Sequence, residues 1–304
     1  MNSPEFLTLN SAQDGLGLSL MLLRPEGEVR AIVQIAHGMC ENKERYLPFM
    51  RYMADKGCLC AINDHRGHGS SVKTADDLGY FYENGDIALV NDLRQISLYL
   101  KQQNPGAPLV LLGHSMGSLA VRAYADMYGS EIDALAVCGS PGKNPAAGAG
   151  LFLISALKLF FGERHRSKLM ETLTTGAFSK RFPDPEHPFT WLSTDMEKVI
   201  AYEADPLCGF RFTLNGYRAL LKLMQRAYSL SAPPKNPNLP VFFYSGADDP
   251  CAPDEKGFRF AVNAMKEAGY SKVSGRMFPG MRHEFLNERG NEALLDTIFS
   301  DIFG

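Results

Sequence analysis

The 304-residue sequence has almost no excess of charge. Its 31 lysine and arginine residues oppose 34 aspartate and glutamate residues, which gives a formal net charge of −3 at pH 7. The longest basic cluster is the short patch RHRSK at residues 164–168. Proteins that bind nucleic acids concentrate positive charge on one face. The composition therefore argues against a nucleic-acid partner.

Neither a membrane-spanning segment nor a secretory leader is predicted. The longest apolar stretch, residues 150–161, has twelve residues, whereas a helix that crosses a bilayer needs about 20. Residues 1–15 are polar and rich in turn formers, without the basic start and apolar centre of a signal peptide. We therefore predict a cytoplasmic protein.

Cysteines are few and scattered. Of the six, only Cys58 and Cys60 are close together, a spacing that suits neither a zinc ribbon nor a framework of disulfides. On a strand, we expect these two side chains to point to opposite faces. Free, mostly buried thiols are the prediction.

Short apolar runs alternate with amphipathic stretches over most of the chain. Strands are predicted at 6–10, 16–23, 31–36, 58–63, 109–112, 132–138, 241–244 and 273–278, and helices at 44–56, 86–103, 115–128, 254–268 and 287–303. This alternation is typical of an α/β fold in which helices flank a mostly parallel central sheet. The first two runs, joined by a Gly-containing turn, favour an antiparallel pair.

The alternation stops between residues 141 and 212, where no clear strand pattern is found. We predict a core domain of residues 1–140 and 213–304 and a helical insertion of residues 141–212. As a lid, this insertion would lie above the carboxyl ends of the strands, where α/β sheets bind ligands. The alternative is a surface elaboration without contact to substrate.

The pentapeptide GHSMG at residues 113–117 lies between a predicted strand and a predicted helix. On such a turn the serine adopts strained backbone geometry, and the glycines let strand and helix pass closely. Ser115 is therefore predicted to be a catalytic nucleophile. The N–H of Met116, the next residue, would stabilise an oxyanion, and the loop after strand 31–36 offers a second N–H at Met39. His37 is interpreted as a residue that supports this loop and does not act as the base.

A serine nucleophile needs a base, and the base needs a carboxylate that fixes its tautomer. With the chain order serine, acid, histidine, the base is predicted to be His283, which follows a late strand; a surface-loop histidine is the alternative. Two adjacent aspartates, Asp248 and Asp249, follow the preceding strand. The three-residue spacing from Gly246 favours Asp249, and leaves Asp248 as a turn residue or helix cap.

Residues 64–70, DHRGHGS, could be mistaken for a metal site because they contain an aspartate and two histidines. Ligands at that spacing need a helix or a distant third donor, and the glycines disfavour a helix. The segment is instead predicted to be a polar turn that supports the site from below.

Five motifs occur in the order that one known group of proteins shows. They are HG…E…RY at 37–46, DHRGHGS at 64–70, GHSMG at 113–117, Asp249, and Gly280 with His283. In these motifs the chain resembles, from about residue 15 to its end, the α/β-hydrolases known as monoacylglycerol lipases and lysophospholipases, of serine aminopeptidase type. Segments 191–193 and 204–210 resemble the insertion of bacterial lysophospholipase-like members. The resemblance implies a serine-dependent ester hydrolase that needs no metal or organic cofactor.

The main hypothesis is hydrolysis of a small-molecule ester, a monoacylglycerol or a lysophospholipid, through an acyl-enzyme. Apolar residues of the insertion could accept the acyl chain or contact a membrane surface transiently: Leu151, Phe152, Leu157, Phe160, Phe161 and Trp191. Simple packing of a lid helix on the core is the alternative for each of them. The sequence does not define the oligomeric state.

Two other hypotheses keep the same scaffold. An aminopeptidase or amidase would clamp the substrate amine with acids of the insertion, for which the candidates are Glu163, Glu197, Glu203 and Asp205. A non-catalytic ligand-binding protein is disfavoured, because a candidate for each of the three triad positions is present.

Overall fold

The computed structural model describes residues 2–252 and 255–304. Within these residues an eight-stranded sheet forms the centre, in the order β1-β2-β4-β3-β5-β6-β7-β8. Its strands are β1 (Glu5–Asn10), β2 (Gly17–Leu23), β3 (Ala31–Ala36), β4 (Cys58–Asn63), β5 (Leu109–His114), β6 (Ala134–Cys138), β7 (Pro240–Gly246) and β8 (Lys272–Phe278). Strand β2 pairs antiparallel with β1 and β4, and all other neighbours are parallel. The predicted sheet is confirmed.

Helices cover both faces of the sheet. They are α1 (Leu47–Asp55), α2 (Gly85–Gln103), α3 (Met116–Tyr128), α4 (Ala147–Phe161), α5 (Lys168–Thr174), α6 (Met196–Ala204), α7 (Leu214–Ala227), α8 (Glu255–Glu267) and α9 (Glu292–Phe303). Helices α2, α3, α7 and α8 share one apolar core with the sheet, and α1 and α9 share the other. Strands β3 to β6 are buried along their whole length, as expected when both faces are covered.

The five predicted helices are present, with boundaries that shift by one to five residues. The helix predicted from residue 287 begins only at Glu292, because a 3-10 turn at Phe285–Asn287 and the left-handed Gly290 (φ 70°) precede it. Helix α8 begins at Glu255, and Asp254, which the predicted helix included, lies outside the described residues.

The six cysteines are free and buried, as predicted. The expectation that Cys58 and Cys60 point to opposite faces is wrong, because strand residues two apart share a face. Both side chains lie in the core that β4 forms with α1 and α9.

Residues 141–212, called the insertion below, follow β6 and contain α4, α5 and α6. Its residues Leu192, Tyr202 and Cys208 form a separate small apolar cluster. Helix α4 packs on α7, which leads back to the core. No helix in residues 2–252 and 255–304 combines the length and the apolar composition that crossing a bilayer requires.

Candidate active site

Ser115 lies on a sharp turn between β5 and α3. Its backbone has φ 54° and ψ −118°, a conformation that costs free energy for any residue other than glycine. A side chain at Gly113 would collide with the carbonyl of Gly117, and one at Gly117 would collide with the carbonyl of Ala36. The two glycines therefore allow β5, α3 and β3 to meet at the strained serine.

His283 and Asp249 lie in the loops that follow β8 and β7. Nδ1 of His283 is 2.9 Å from Oδ2 of Asp249, and the N–H of Cys251 donates to Oδ1 of the same carboxylate at 2.8 Å. Both side chains are buried. Burial alone would raise the pKa of Asp249, but the charge and the hydrogen bond of His283 outweigh it and hold this pKa below its usual value. The neighbouring Asp248 is 49% exposed and faces Arg181 at 4.0 Å.

Ser115 and His283 line one pocket together with Gly38, Met39 and Cys40 from the loop after β3. The insertion closes the other side of this pocket. It contributes mostly apolar and aromatic side chains, with one carboxylate and two hydroxyls: Glu171, Thr175, Phe189, Trp191, Leu192, Tyr202 and Phe210. The space between these groups is about 60 Å³.

The loop after β3, residues 37–40, approaches the serine closely. A Cβ atom at Gly38 would lie 3.1 Å from Cβ of Ser115, so a larger residue would push the loop away. The N–H of Gly38 donates to Oε1 of Glu41 at 2.5 Å. The Met39 N–H, predicted to stabilise an oxyanion, therefore belongs to a loop that is fixed at the pocket wall.

His114, the residue before the serine, connects this loop to the His283 loop. Its Nε2 donates to the carbonyl of His283 at 2.9 Å, and its Nδ1 is 3.0 Å from the hydroxyl of Tyr46, which itself donates to Glu41. Burial alone would lower the pKa of His114, but the hydrogen bond and the charge of Glu41 reverse this and raise it. A protonated imidazole satisfies both contacts, since each ring nitrogen then carries a hydrogen.

Arg45 joins the same two loops from the other side. Its guanidinium donates to Glu41 at 2.6 Å and to both carboxylate oxygens of Glu284 at 2.7 and 2.5 Å. The ring of Tyr202 lies 4.8 Å from the guanidinium carbon. Burial would raise the pKa of Glu41, but the hydrogen bond of His114 and the charge of Arg45 bring it below its usual value. Sequence reasoning missed Glu284, whose only signal is its position beside His283.

The 64–70 segment lies beneath the 37–40 loop. Asp64 accepts hydrogen bonds from Nζ of Lys43 at 2.7 Å and from the N–H of Ser70 at 2.9 Å. The N–H of His65 donates to Nε2 of His37 at 2.9 Å, so His37 accepts at one nitrogen and donates at the other. Oδ1 of Asp64 also accepts the Lys43 N–H, and Nε2 of His68 accepts the Cys40 N–H, so the segment is tied to the loop above it.

Asp249, Cys251 and His283 bring three potential metal-binding atoms within 4.8 Å of one another. Metals bind the thiolate form of cysteine, and burial raises the pKa of the Cys251 thiol well above its usual value. The sulfur lies 3.8 Å from Nε2 of His283. Because Asp249 already accepts from His283 and from the Cys251 N–H, this arrangement fits a hydrogen-bonded group better than a metal site.

The insertion residues predicted to contact substrate separate into two sets. Trp191 lines the pocket, with its ring 5.2 Å from the ring of His283. Residues of α4 do not line it: Leu151 and Leu157 pack partly against the core, and Phe152, Phe160 and Phe161 are exposed. Met116 lies at the start of α3 with its side chain buried in the core.

The chain matches known proteins over most of its length. Residues 27–290 match the family model described as serine aminopeptidase, S33. A monoacylglycerol lipase of Mycolicibacterium smegmatis is 30% identical over 281 residues, which cover 91% of this chain and 89% of that protein. The chain belongs to this hydrolase family.

One further relative and two solved structures are also similar to this chain. A human monoglyceride lipase is 30% identical over 195 residues, 64% of this chain and 57% of that protein. The structure of a Bacillus coagulans carboxyl esterase in complex with glycerol superimposes with a TM-score of 0.87 at 24% identity, over 99% of this chain and all of that one. The Saccharomyces cerevisiae monoglyceride lipase superimposes with a TM-score of 0.77 at 18% identity, over 100% of this chain and 96% of that one. The protein is a carboxylic-ester hydrolase with the α/β-hydrolase fold.

Proposed function

We propose that this hydrolase cleaves esters of mono-acyl lipids, monoacylglycerols or lysophospholipids, through a triad of Ser115, His283 and Asp249. The observation that carries the proposal is the buried His283–Asp249 hydrogen bond of 2.9 Å beside a pocket that also contains the strained Ser115. The names of the relatives, monoacylglycerol lipase and monoglyceride lipase, support this choice of substrate class.

The chemical steps follow from these groups. The Ser115 hydroxyl attacks the ester carbonyl while His283 accepts its proton at Nε2, and Asp249 holds the Nδ1 hydrogen and stabilises the imidazolium. The N–H groups of Met39 and Met116 bind the oxyanion. His283 then protonates the leaving alcohol, and water, activated by the same histidine, hydrolyses the acyl-enzyme.

An aminopeptidase would need a free carboxylate beside the serine to bind the substrate amine. Among the described residues, the carboxylates that line the pocket are Glu41, Glu171 and Glu284. Glu41 and Glu284 form ion pairs with Arg45, and Glu171 forms one with Arg211 at 2.7 Å. The acids considered from the sequence do not line this pocket, and each contacts another side chain. The pairs are Glu163 with Lys158, Glu197 with Arg289, Glu203 with His187, and Asp205 with Asn42. This pairing favours an ester substrate.

The small space beside Ser115 supports a role for the insertion as a lid. A volume of about 60 Å³ is far below the roughly 300 Å³ or more of ordinary ligand pockets. A long acyl chain therefore requires movement of the aromatic side chains that close the pocket. Residues 141–212 are proposed to form this lid over a core of residues 1–140 and 213–304.

The outer surface of the lid is suited to transient contact with a membrane. Large apolar side chains on α4 and α5 are exposed, namely Phe152, Leu159, Phe160, Phe161, Leu169 and Leu173. Residues 141–181 also contain seven basic and two acidic residues, a net charge of +5, whereas the whole chain has −3. Apolar side chains flanked by basic ones are typical of surfaces that bind anionic lipid.

A panel of substrates tests this function. We expect hydrolysis of monoacylglycerol and of medium-chain nitrophenyl esters, and no measurable cleavage of aminoacyl anilides under the same conditions. The Ser115→Ala variant should lose activity by about 10⁶-fold in kcat, the size measured when a serine nucleophile is removed. Preferential cleavage of the anilides would instead favour the aminopeptidase.

A further inference from the structure

Cys40, at the end of the loop proposed to form the oxyanion hole, has an unusual backbone. Its φ is 56°, in the left-handed region that residues with a side chain rarely occupy. Such a conformation persists when the surrounding contacts hold it in place. Cys40 directly follows Met39 and lines the pocket beside Ser115, so what holds Cys40 also fixes the loop at the reacting atoms.

Each polar group of Cys40 has a partner. Its N–H donates to Nε2 of His68 at 3.2 Å. Its carbonyl accepts two hydrogen bonds, from the Tyr202 hydroxyl and from the Gly209 N–H, both at 2.9 Å. Its thiol donates to the carbonyl of Phe210 at 2.8 Å. Three of these four contacts come from the insertion, more than 160 residues further along the chain.

Tyr202 is suited to hold this carbonyl. The residue is buried, and burial raises the pKa of its hydroxyl well above the usual value, so it stays a donor at neutral pH. Its ring lines the pocket and packs against the Arg45 guanidinium. Because the hydroxyl already donates its hydrogen to the Cys40 carbonyl, a substrate in the pocket would contact the ring of Tyr202.

We propose that Tyr202 is a positioning residue for ester hydrolysis: its hydroxyl, with the Gly209 N–H, holds Cys40 in the left-handed conformation and thereby orients the oxyanion-hole loop. The inference rests on the proposed function, because it presumes that the Met39 N–H binds the oxyanion. The insertion then does more than cover the pocket, since it completes the shape of the catalytic loop.

The test is a Tyr202→Phe variant, which keeps the ring and removes only the hydroxyl. Tyr228→Phe is the matched control, because the Tyr228 hydroxyl also donates to a backbone carbonyl, that of Pro141 at 2.8 Å, but the residue lies outside the pocket. For each variant, kcat and KM for a nitrophenyl ester, the inhibition constant of a trifluoromethyl ketone and the urea unfolding midpoint are measured. The ketone adds to the serine and places an oxyanion in the hole.

For Tyr202→Phe we expect kcat to fall about tenfold with KM changed less than about twofold, and the inhibition constant to rise about tenfold, because a displaced donor weakens only the oxyanion state. Tyr228→Phe should leave all three constants unchanged, with an unfolding midpoint similar to that of Tyr202→Phe. A purely structural role would shift the midpoint without this kinetic pattern.

The inference would be overturned if Tyr202→Phe kept the wild-type kcat and inhibition constant. It would also be overturned if KM rose while the inhibition constant stayed unchanged, because that result would indicate that the Tyr202 hydroxyl contacts the substrate. The Ser115→Ala variant, measured in parallel, keeps the two proposals apart. If Ser115→Ala is inactive and Tyr202→Phe resembles the wild type, only the role of Tyr202 fails. If Ser115→Ala remains active, the proposed triad itself is wrong.

Discussion

The two halves of the insertion differ in how they meet the rest of the molecule. The exposed half (residues 147–174) presents Leu159 and Phe160 to solvent with more than 80% of their surface accessible. The anchored half (residues 189–210) bonds the two loops that contain Cys40 and His283: Tyr202 donates to Cys40, and the carbonyl of Leu192 accepts the Glu284 N–H at 2.7 Å. One continuous segment thus exposes apolar side chains on its outer surface and contacts the loops around the pocket with its inner surface.

Mutations in the two halves of the insertion are therefore expected to have different effects on the free energy of unfolding. In the anchored half, contacts are buried and polar, so removing one partner leaves an unsatisfied group and costs free energy of unfolding. In the exposed half, side chains are already in water, so replacing them should change the free energy of unfolding little. Affinity for a lipid surface should instead fall when the exposed half is changed and stay nearly constant when the anchored half is changed.

The largest expected effect comes from Arg45, which joins the anchored half to the core through the Tyr202 ring and the carboxylates of Glu41 and Glu284. Arg45→Met leaves two buried carboxylates without their cation. We expect the free energy of unfolding to fall by about 3–5 kcal/mol, measured by urea denaturation at pH 7. Arg259→Met, which removes an exposed ion pair with Glu255, is the control and should cost about 0.5 kcal/mol or less. Equal losses in the two variants would contradict the account.

A smaller, pH-dependent effect is expected at His68, which accepts the Cys40 N–H and packs against Phe210. Burial, followed by the charge of His37, lowers the pKa of His68 to about 3. The unfolded chain, where histidine has a pKa of about 6.5, therefore binds a proton first as the pH falls. The stability that this neutral histidine contributes is fully present above pH 6.5 and is lost between about pH 6.5 and 3.

The His68→Gln variant tests this linkage, because glutamine can accept the Cys40 N–H and does not titrate. The wild type should lose stability relative to the variant by about 1 kcal/mol per pH unit between pH 6 and 4, measured by urea denaturation. Between pH 7 and 8 the difference should stay constant, which serves as the control. A difference that also stays constant from pH 6 to 4 would refute the neutral, buried state of His68.

The smallest effect on stability is expected in the exposed half. Phe160→Ser with Phe161→Ser should change the free energy of unfolding by about 0.5 kcal/mol or less, since both rings are exposed. Sedimentation with vesicles should show a loss of binding, most clearly with anionic phosphatidylglycerol vesicles. Leu119→Ala, in the buried α3, is the contrasting variant and should cost about 2–5 kcal/mol without weakening the membrane contact of the folded protein. Unchanged vesicle binding by the double variant would remove the proposed membrane surface.

Much of the core could be predicted from the sequence because its signals are local. The run at residues 109–112 is apolar throughout and lies in a strand covered on both faces, and the glycines beside Ser115 are required by close backbone approach. The three-residue spacing from Gly246 favours Asp249 over the adjacent Asp248, and in the structure it is Asp249 that lies against His283.

The contributions of Glu284 and Tyr202 could not be predicted, because their partners Arg45 and Cys40 are more than 160 residues away in the chain. Helix α4 shows a different difficulty. It is apolar on nearly all sides, so periodicity does not distinguish a face that lines the pocket from one that meets solvent. Only the structure shows that Phe152 and Phe160 are exposed and do not line the pocket that contains Ser115.

The most direct test of the central claim, that Ser115 is the nucleophile activated by His283 and Asp249, is labelling with a fluorophosphonate followed by intact mass and peptide analysis. The account predicts one adduct per chain on the peptide containing Ser115, no adduct in Ser115→Ala, and labelling slowed at least about a hundredfold in His283→Ala. An adduct on another residue, or unchanged labelling of Ser115→Ala, would contradict it.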